Sequence, residues 1–458
     1  MSAPKRLRDG VPAGAVLSRE DAQALIERTV KMSKADEVSV NLGASHTTNV
    51  RFADNQMSTA GAVTDAQLVV QSSFGPKHAV VTTNDLSESS LRRCVEQSEV
   101  LARLAPDDPE AMPGLEPQQY QRVDSYVEAT AAIGAAERAQ AALAAAAPAR
   151  GAGDLKAAGF LVASAGCSAL GNAKGMFAYH PATNVNYTLT VRTTDGTGSG
   201  WAAGDHPDWR QIDFARVSAR AMDKARTSRQ PVAVEPGRYT VIFEPQAVGD
   251  LAQLIAFYAD ARQADEGRSP FSKPGGGNKV GEKIVDSRVT LFSDPADPQL
   301  LAQPFDGEGM PLARQVWVES GELRQLQYSR FWAKKQGKVA TGAATSLKMQ
   351  GGAATMEEMI RSTERGILVT RLWYLREVDP RTILYTGLTR DGTFLIEEGR
   401  ISRSIRNLRF NESPLFMLNN LEMVGAAERL AGTEAGGAVV MPALKVRDFN
   451  FTSLSEAV

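Results

Sequence analysis

The chain has 458 residues, enough at roughly 100–200 residues per domain for several full hydrophobic cores. Its apolar share of 43% and charged share of 23% are ordinary globular values. The 51 basic and 53 acidic side chains leave a formal charge of −2, which argues against nucleic acid as a partner. Two cysteines, Cys94 and Cys167, exclude a disulfide framework and point to a reducing compartment.

The start, Met1–Arg8, is polar and basic, with no apolar stretch behind it. The longest apolar run, Ala139–Ala147, is too short and too weakly hydrophobic to span a bilayer, so a cytoplasmic protein without a membrane partner is expected. Ser18 followed by Glu20 and Asp21 predicts an N-capped helix. Strands are predicted at Glu37–Leu42, Thr47–Ala53, Ala66–Phe74 and Lys77–Thr82, with a Gly75–Pro76 turn, followed by a helix over Asp85–Leu104. The proline-rich, acidic stretch Ala105–Pro117 reads as a linker or exposed loop. An alanine-rich helix is predicted over Ser125–Ala147, ended by Pro148 and Gly151. Strands follow at Leu155–Ser164, Lys174–Ala178 and Asn184–Thr194, then a flexible loop at Gly196, Gly198 and Gly200, a helix over Phe214–Arg226 and a linker at Gln230–Gly237.

The third stretch opens with a buried-looking strand, Arg238–Phe243. Pro245 then starts a helix whose face carries Val248, Leu251, Leu254, Ile255 and Tyr258. Later segments are mostly β: Val289–Phe292, Arg314–Val318, Leu323–Tyr328, Ile367–Leu375, Ile383–Thr389, Thr393–Ile396 and Arg400–Ile405. A short helix, Met356–Glu364, capped by Thr355, interrupts them. Two hairpins are predicted with glycine in the turn, Val318–Leu323 and Ile396–Ile401. The expected fold is α+β in three parts: a mixed α/β N-terminal domain (1–117), a mixed α/β middle domain (118–236) and a β-rich C-terminal domain (237–458).

The chemistry is sparse. The histidines, His46, His78, His180 and His206, are scattered, and no His-Glu-x-x-His, Cys-x-x-Cys or Gly-x-Ser-x-Gly pattern occurs. Beyond His206 there is neither histidine nor cysteine, so the third stretch cannot by itself build a His/Cys zinc site. Both cysteines read as inert buried thiols. The loop Ser269–Lys283 contains Gly275, Gly276, Gly277 and Asn278 between Lys273 and Lys279. It lacks the Gly-Lys-Ser/Thr of a phosphate loop, and its glycines suit close approach by another chain. Asp306 and Glu308 form a tight acidic turn. Trp332 sits among aromatics and cations in Tyr328–Gly337. Arg371 punctuates an apolar strand and needs a carboxylate or carbonyl, within the fold or on a partner.

Taken together, Ala264–Ser269, Gly275–Gly277, Phe305–Gly309, Tyr328–Gly337, Ser362–Tyr374, Val378–Arg381, Gly387–Phe394 and Phe410–Pro414 resemble the TldD/PmbA (TldE) family, which has been called both metalloprotease and modulator of DNA gyrase. The resemblance is strongest over Arg238–Ala443. It implies a His-Glu-x-x-x-His motif, in catalytic members, on the helix after the first strand of the third region, with zinc on the histidines and a glutamate base. The corresponding helix here, about Pro245–Arg262, has no histidine, so no catalytic or metal residue carries over and its apolar stripe is expected simply to bury. The resemblance therefore implies the TldE/PmbA branch: a non-catalytic subunit that pairs with a zinc-bearing TldD-type protease, or with itself as a homodimer, and helps hold extended peptide. A self-sufficient hydrolase and a gyrase-modulator-type binding protein are the alternatives. Gly275, Gly276, Gly277, Asn278, Asp306, Glu308, Trp332 and Arg371 are the candidate peptide-binding or subunit-interface residues.

Overall fold

The structure, a computed structural model, describes residues 16–431 and 438–455 together with the two-residue strands Arg6–Leu7 and Val11–Pro12. Of the polar start, all but Arg6–Leu7 lies outside the described residues. No helix among them is long and apolar enough to cross a membrane.

Residues 16–236 form one antiparallel sheet of six strands, in the order Lys77–Thr83, Gln56–Phe74, Glu37–Ala53, Leu155–Asn172, Phe177–Thr193, Ser199–His206. Strands from both sides of the expected 117/118 boundary share it, because Glu37–Ala53 pairs with Leu155–Asn172 over nearly its whole length. Period-two burial explains the order. Val38, Val40, Leu42, Val50 and Phe52 all point to one face, where four helices cover them. Ser18 caps the first, Arg19–Met32, by accepting from the Asp21 amide at 3.0 Å.

Two local expectations are corrected. The alanine-rich segment is two helices, Glu128–Ala131 and Ala135–Ala152. The Gly134 amide donates to Glu137 at 2.7 Å at the start of the second, which runs through Pro148 and ends at Gly153, φ +75°. Gly198 and Gly200 do not make a loose loop: Ser199–His206 is a strand packed on the helix Phe214–Thr227. A Cβ on Gly200 would stand 2.2 Å from the Ala221 carbonyl oxygen. The Ala105–Pro117 stretch is an irregular loop, as expected, and it is pinned along the protein. Gly114 donates to Glu37 at 2.6 Å, Asn172 donates to the Leu115 carbonyl at 2.7 Å, and Glu110 pairs with Arg262 at 2.8 Å.

The third region is a mixed sheet organised by one long strand, Ala438–Leu454. This strand pairs antiparallel with Gly237–Phe243, Leu408–Glu412 and Leu421–Arg429, and parallel with Ser346–Met349. The two predicted hairpins form, with Ser320 and Gly321, and Glu398 and Gly399, all at positive φ as type I′ turns require. Thr355 and Glu358 close a capping box on Met356–Arg361. The expected strand Ile367–Leu375 breaks into Arg365–Val369 and Leu372–Asp379, and of the expected Leu323–Tyr328 only Leu323 lies in a strand, Glu322–Leu323. The region docks on the uncovered face of the first sheet, where Phe305 joins Leu170, Met176 and Ala178.

Candidate functional site

The helix after the first strand of the third region is Pro245–Phe257, and Glu244 is its N-cap residue. The Glu244 carboxylate sits at the positive end of the helix, a favourable place for an anion. It accepts from Lys224 Nζ at 2.7 Å and Arg220 Nη2 at 3.3 Å, both on the helix Phe214–Thr227 of the first half. Lys224 also donates to the Trp201 carbonyl, and only 11% of its side chain is exposed. Beside this cluster, Asp205 accepts from Arg429 at 2.9 Å and from Asn184 and Asn186. Arg429 in turn donates to the carbonyls of Gln299 and Leu300. A seam of paired charges thus joins the two halves.

The helix does not simply bury an apolar stripe. Gln246, Asp250 and Gln253, spaced i, i+4, i+7 on one face, are also buried, at 8%, 2% and 7% exposure. The Nε2 groups of Gln246 and Gln253 have no hydrogen-bond partner. An orphaned buried amide costs about 1–3 kcal/mol, so this face is polar at the expense of stability. The donor set does not suit zinc, which takes imidazole, thiolate or carboxylate ligands. Among the described residues, no group of three or more His, Cys, Asp and Glu side chains could hold a metal ion.

The histidines all have local partners. His46 bonds Thr64 at 2.7 Å, His78 lies 3.7 Å from Asp108, and His206 accepts from the Asp208 amide. His180 is buried against the Ser125 hydroxyl at 2.9 Å, and burial pulls its pKa down to about 4. Burial also pushes the Cys167 thiol up to about 11, and Cys94 upward, as inert thiols require.

The eight candidate residues fall in three places. Asp265 joins two of them, accepting from Asn278 Nδ2 and Trp332 Nε1, each at 2.7 Å, while Arg262 and Lys335 flank the Trp332 ring. Gly275, Gly276 and Gly277 are exposed, with φ of +89°, +114° and +79°, and nothing lies within 4 Å of where their Cβ atoms would be. Within this chain they serve the loop's left-handed backbone, not a close approach. Asp306 ties its own turn, accepting from the amides of Glu308, Met310 and Ala343. Glu308 pairs with Arg330 at 3.3 Å. Tyr120 donates to the Gly309 carbonyl, and burial together with the Asp306 charge pushes its phenol up to about 12. Arg371 pairs within the fold, at 3.0 Å from the buried Asp391, and its guanidinium lies over Trp201. Asp391 also accepts from Ser199 at 2.7 Å. A cavity of about 320 Å³ adjoins it, between Ser199, Ser228, Thr393 and Arg406.

Sequence reasoning missed Glu244, Lys224, Asp205 and Arg429, whose partners lie on the other half of the chain. It also missed the polar face of the helix, for which the signal was present: Gln246, Asp250 and Gln253 keep helical spacing within an otherwise apolar segment.

A family model described as the PmbA/TldA metallopeptidase C-terminal domain matches residues 236–453, and one described as PmbA/TldA metallopeptidase domain 1 matches residues 38–102. A metalloprotease of Methanothermobacter thermautotrophicus is 25% identical over 287 residues, 57% of this chain; the match spans 61% of that relative's length. A metalloprotease TldD homolog of Buchnera aphidicola is 24% identical over 162 residues, covering 32% of this chain and 33% of the relative. In fold, the chain is similar to TldE from Thermococcus kodakarensis, with a TM-score of 0.82 at 18% identity over 95% of this chain and all of that one. It is also similar to a candidate modulator of DNA gyrase from Thermotoga maritima, with a TM-score of 0.83 at 16% identity over 94% and 100%. The chain belongs to the TldD/PmbA family of metallopeptidase-related proteins.

Proposed function

We propose that this chain is the non-catalytic, metal-ligand-lacking subunit of a TldD/TldE-type metallopeptidase that acts on unfolded or extended peptides, with zinc carried by a TldD-type partner. The observation that supports it is the helix Pro245–Phe257. It offers amides and one carboxylate on its buried polar face, and its N-cap carboxylate is held by Lys224 and Arg220. The chain's part is to complete the chamber and present backbone to an extended peptide, which binds tolerant of sequence through main-chain hydrogen bonds.

Cleavage of an unfolded peptide is measured with this chain, with the TldD-type partner, and with both. The expected result is cleavage by the mixture only, abolished by a chelator and restored by zinc, with bound zinc following the partner. Robust chelator-sensitive cleavage by this chain alone overturns the reading.

A further inference from the structure

The two halves of the chain border a cavity of about 320 Å³. The first half supplies Ser199 and Ser228 to its wall, and the third region supplies Asp391, Thr393 and Arg406. The volume lies at the lower end of the range for small-ligand pockets, about 300–1,000 Å³.

The hydrogen bonds already made decide what the wall can still offer. The Ser228 hydroxyl donates to the Ser199 carbonyl and accepts from the Ser199 amide, both at 2.9 Å, and is satisfied. The Ser199 hydroxyl donates to Asp391 Oδ1 at 2.7 Å, and the Thr393 hydroxyl donates to Asn407 Oδ1 at 3.2 Å. Each therefore keeps lone pairs for a ligand but no proton. Asp391 Oδ2 accepts from Arg371 at 3.0 Å. A carboxylate has roughly four acceptor sites, so Asp391 can take a further donor. The inner wall is thus rich in acceptors.

Arg406 is its opposite. It is exposed, and among the described residues its guanidinium has no hydrogen bond or ion pair. Asp391 and Arg406 are the only charged residues among those described on the wall. They are not paired with each other, because Asp391 pairs with Arg371 and Arg390. A buried anion and a free cation face one cavity.

We propose that the cavity binds a short zwitterion, a free amino acid or dipeptide, with its ammonium group on Asp391, Ser199 and Thr393 and its carboxylate on Arg406. An ammonium group has three donors and no acceptor, which suits the inner wall, and a carboxylate fits the guanidinium fork. A simple anion would leave the inner acceptors unused, and a simple cation would leave Arg406 unpaired. The binding chemistry rests on the cavity alone; the supply of such ligands as cleavage products rests on the peptidase reading.

Isothermal titration calorimetry on the full chain, with no partner and no cleavage substrate, compares alanine, leucine and alanyl-alanine with N-acetylalanine, alaninamide and acetate. Saturable binding is expected for at least one zwitterion. The three controls should bind about tenfold or more weakly. Arg406→Gln, at an exposed position, should weaken the zwitterion by a similar factor and leave the weak binding of alaninamide unchanged. Asp391→Asn should also weaken it. A melting curve shows whether that variant folds, and Thr393→Val, which removes one acceptor, tests the same end if it does not. No saturable binding at millimolar concentration, controls that bind as well as the zwitterions, or an affinity indifferent to Arg406→Gln overturns the proposal. Zwitterion binding by a chain that fails the cleavage assay with its partner would strike the peptidase reading and leave this one standing.

Discussion

Residues 16–236 hold every histidine and cysteine of the chain, whereas residues 237–455 hold none. The first half nonetheless gives these groups local structural partners: His180 on Ser125, His46 on Thr64, both thiols inside the core. The second half, poor in reactive residue types, has the buried helix face Gln246–Asp250–Gln253 and receives charged partners from the first half at Glu244 and Arg429. Reactive residue types are therefore a poor guide to this molecule. Buried polarity shared between halves is a better one.

The largest expected effect tests whether the seam couples the halves. Glu244→Ala leaves Lys224 buried and unpaired. Breaking one side of a buried pair costs about 3 kcal/mol, to be read from denaturant unfolding. Replacing both partners, Glu244→Leu with Lys224→Met, should recover most of the loss. Arg92→Ala provides the contrast within the first half, because its pair with Glu88 is solvent-exposed; the change should stay under about 0.5 kcal/mol. Equal effects of Glu244→Ala and Arg92→Ala would remove the distinction.

Packing of the strand Ser199–His206 on its helix gives the next effect. Gly200→Ala forces a Cβ against the backbone oxygen of Ala221, so the helix must shift, at about 2–3 kcal/mol by overpacking. A melting temperature within a degree of the parent would show that the helix yields freely.

The unequal legibility of the two halves follows from sequence distance. In the first half each strand alternates, its neighbours are mostly joined by hairpins, and Ser18 announces its helix, so most of the elements could be placed. In the second half the hairpins and the Thr355 cap were readable because they are local. The organising strand Ala438–Leu454 was not. Three of its four partners come from distant segments, it is continuously apolar from Ala438 to Leu444, and Pro442 argues against an inner strand. The structure accommodates Pro442 opposite Ala427, beside a register irregularity. Of the candidate residues, Arg371 found its partner within the fold, and Asn278 and Trp332 met through Asp265, which lies in the Ala264–Ser269 segment but was not itself a candidate.

The halves should also answer pH in opposite senses. His180 is held neutral in the first half, its pKa lowered from 6.5 to about 4 by burial. As pH falls from 6.5, the unfolded chain takes up the proton first, so stability present above 6.5 is lost toward 4. Glu412, buried in the second half, is raised from 4.5 to about 7, chiefly by burial. Here the folded chain keeps a proton that the unfolded chain has released, so stability falls as pH rises from 4.5 to 7. Each effect should be on the order of 1–2 kcal/mol. Relative to the parent, His180→Gln should lose less stability between pH 7 and pH 5, and Glu412→Gln should lose less between pH 5 and pH 7. Difference curves of the same sign would contradict the assignment.

The smallest effect concerns the glycine loop. Asp265 holds it at Asn278 and holds the neighbouring helix at Trp332, each through one carboxylate oxygen. Asp265→Asn keeps one acceptor and turns an amide NH₂ toward the other donor, which should cost about 1 kcal/mol. Gly276→Ala costs a similar amount for a different reason, because alanine resists φ of +114° although the space around it is open. Amide hydrogen exchange separates the two contributions. If Asp265 fixes the loop, Asp265→Asn should speed exchange across Lys273–Lys279 and shift the Trp332 fluorescence. Gly276→Ala should speed exchange within the loop and leave Trp332 unchanged. Faster exchange in Gly276→Ala alone would mean that the glycine backbone sets the loop and that Asp265 merely rests against it.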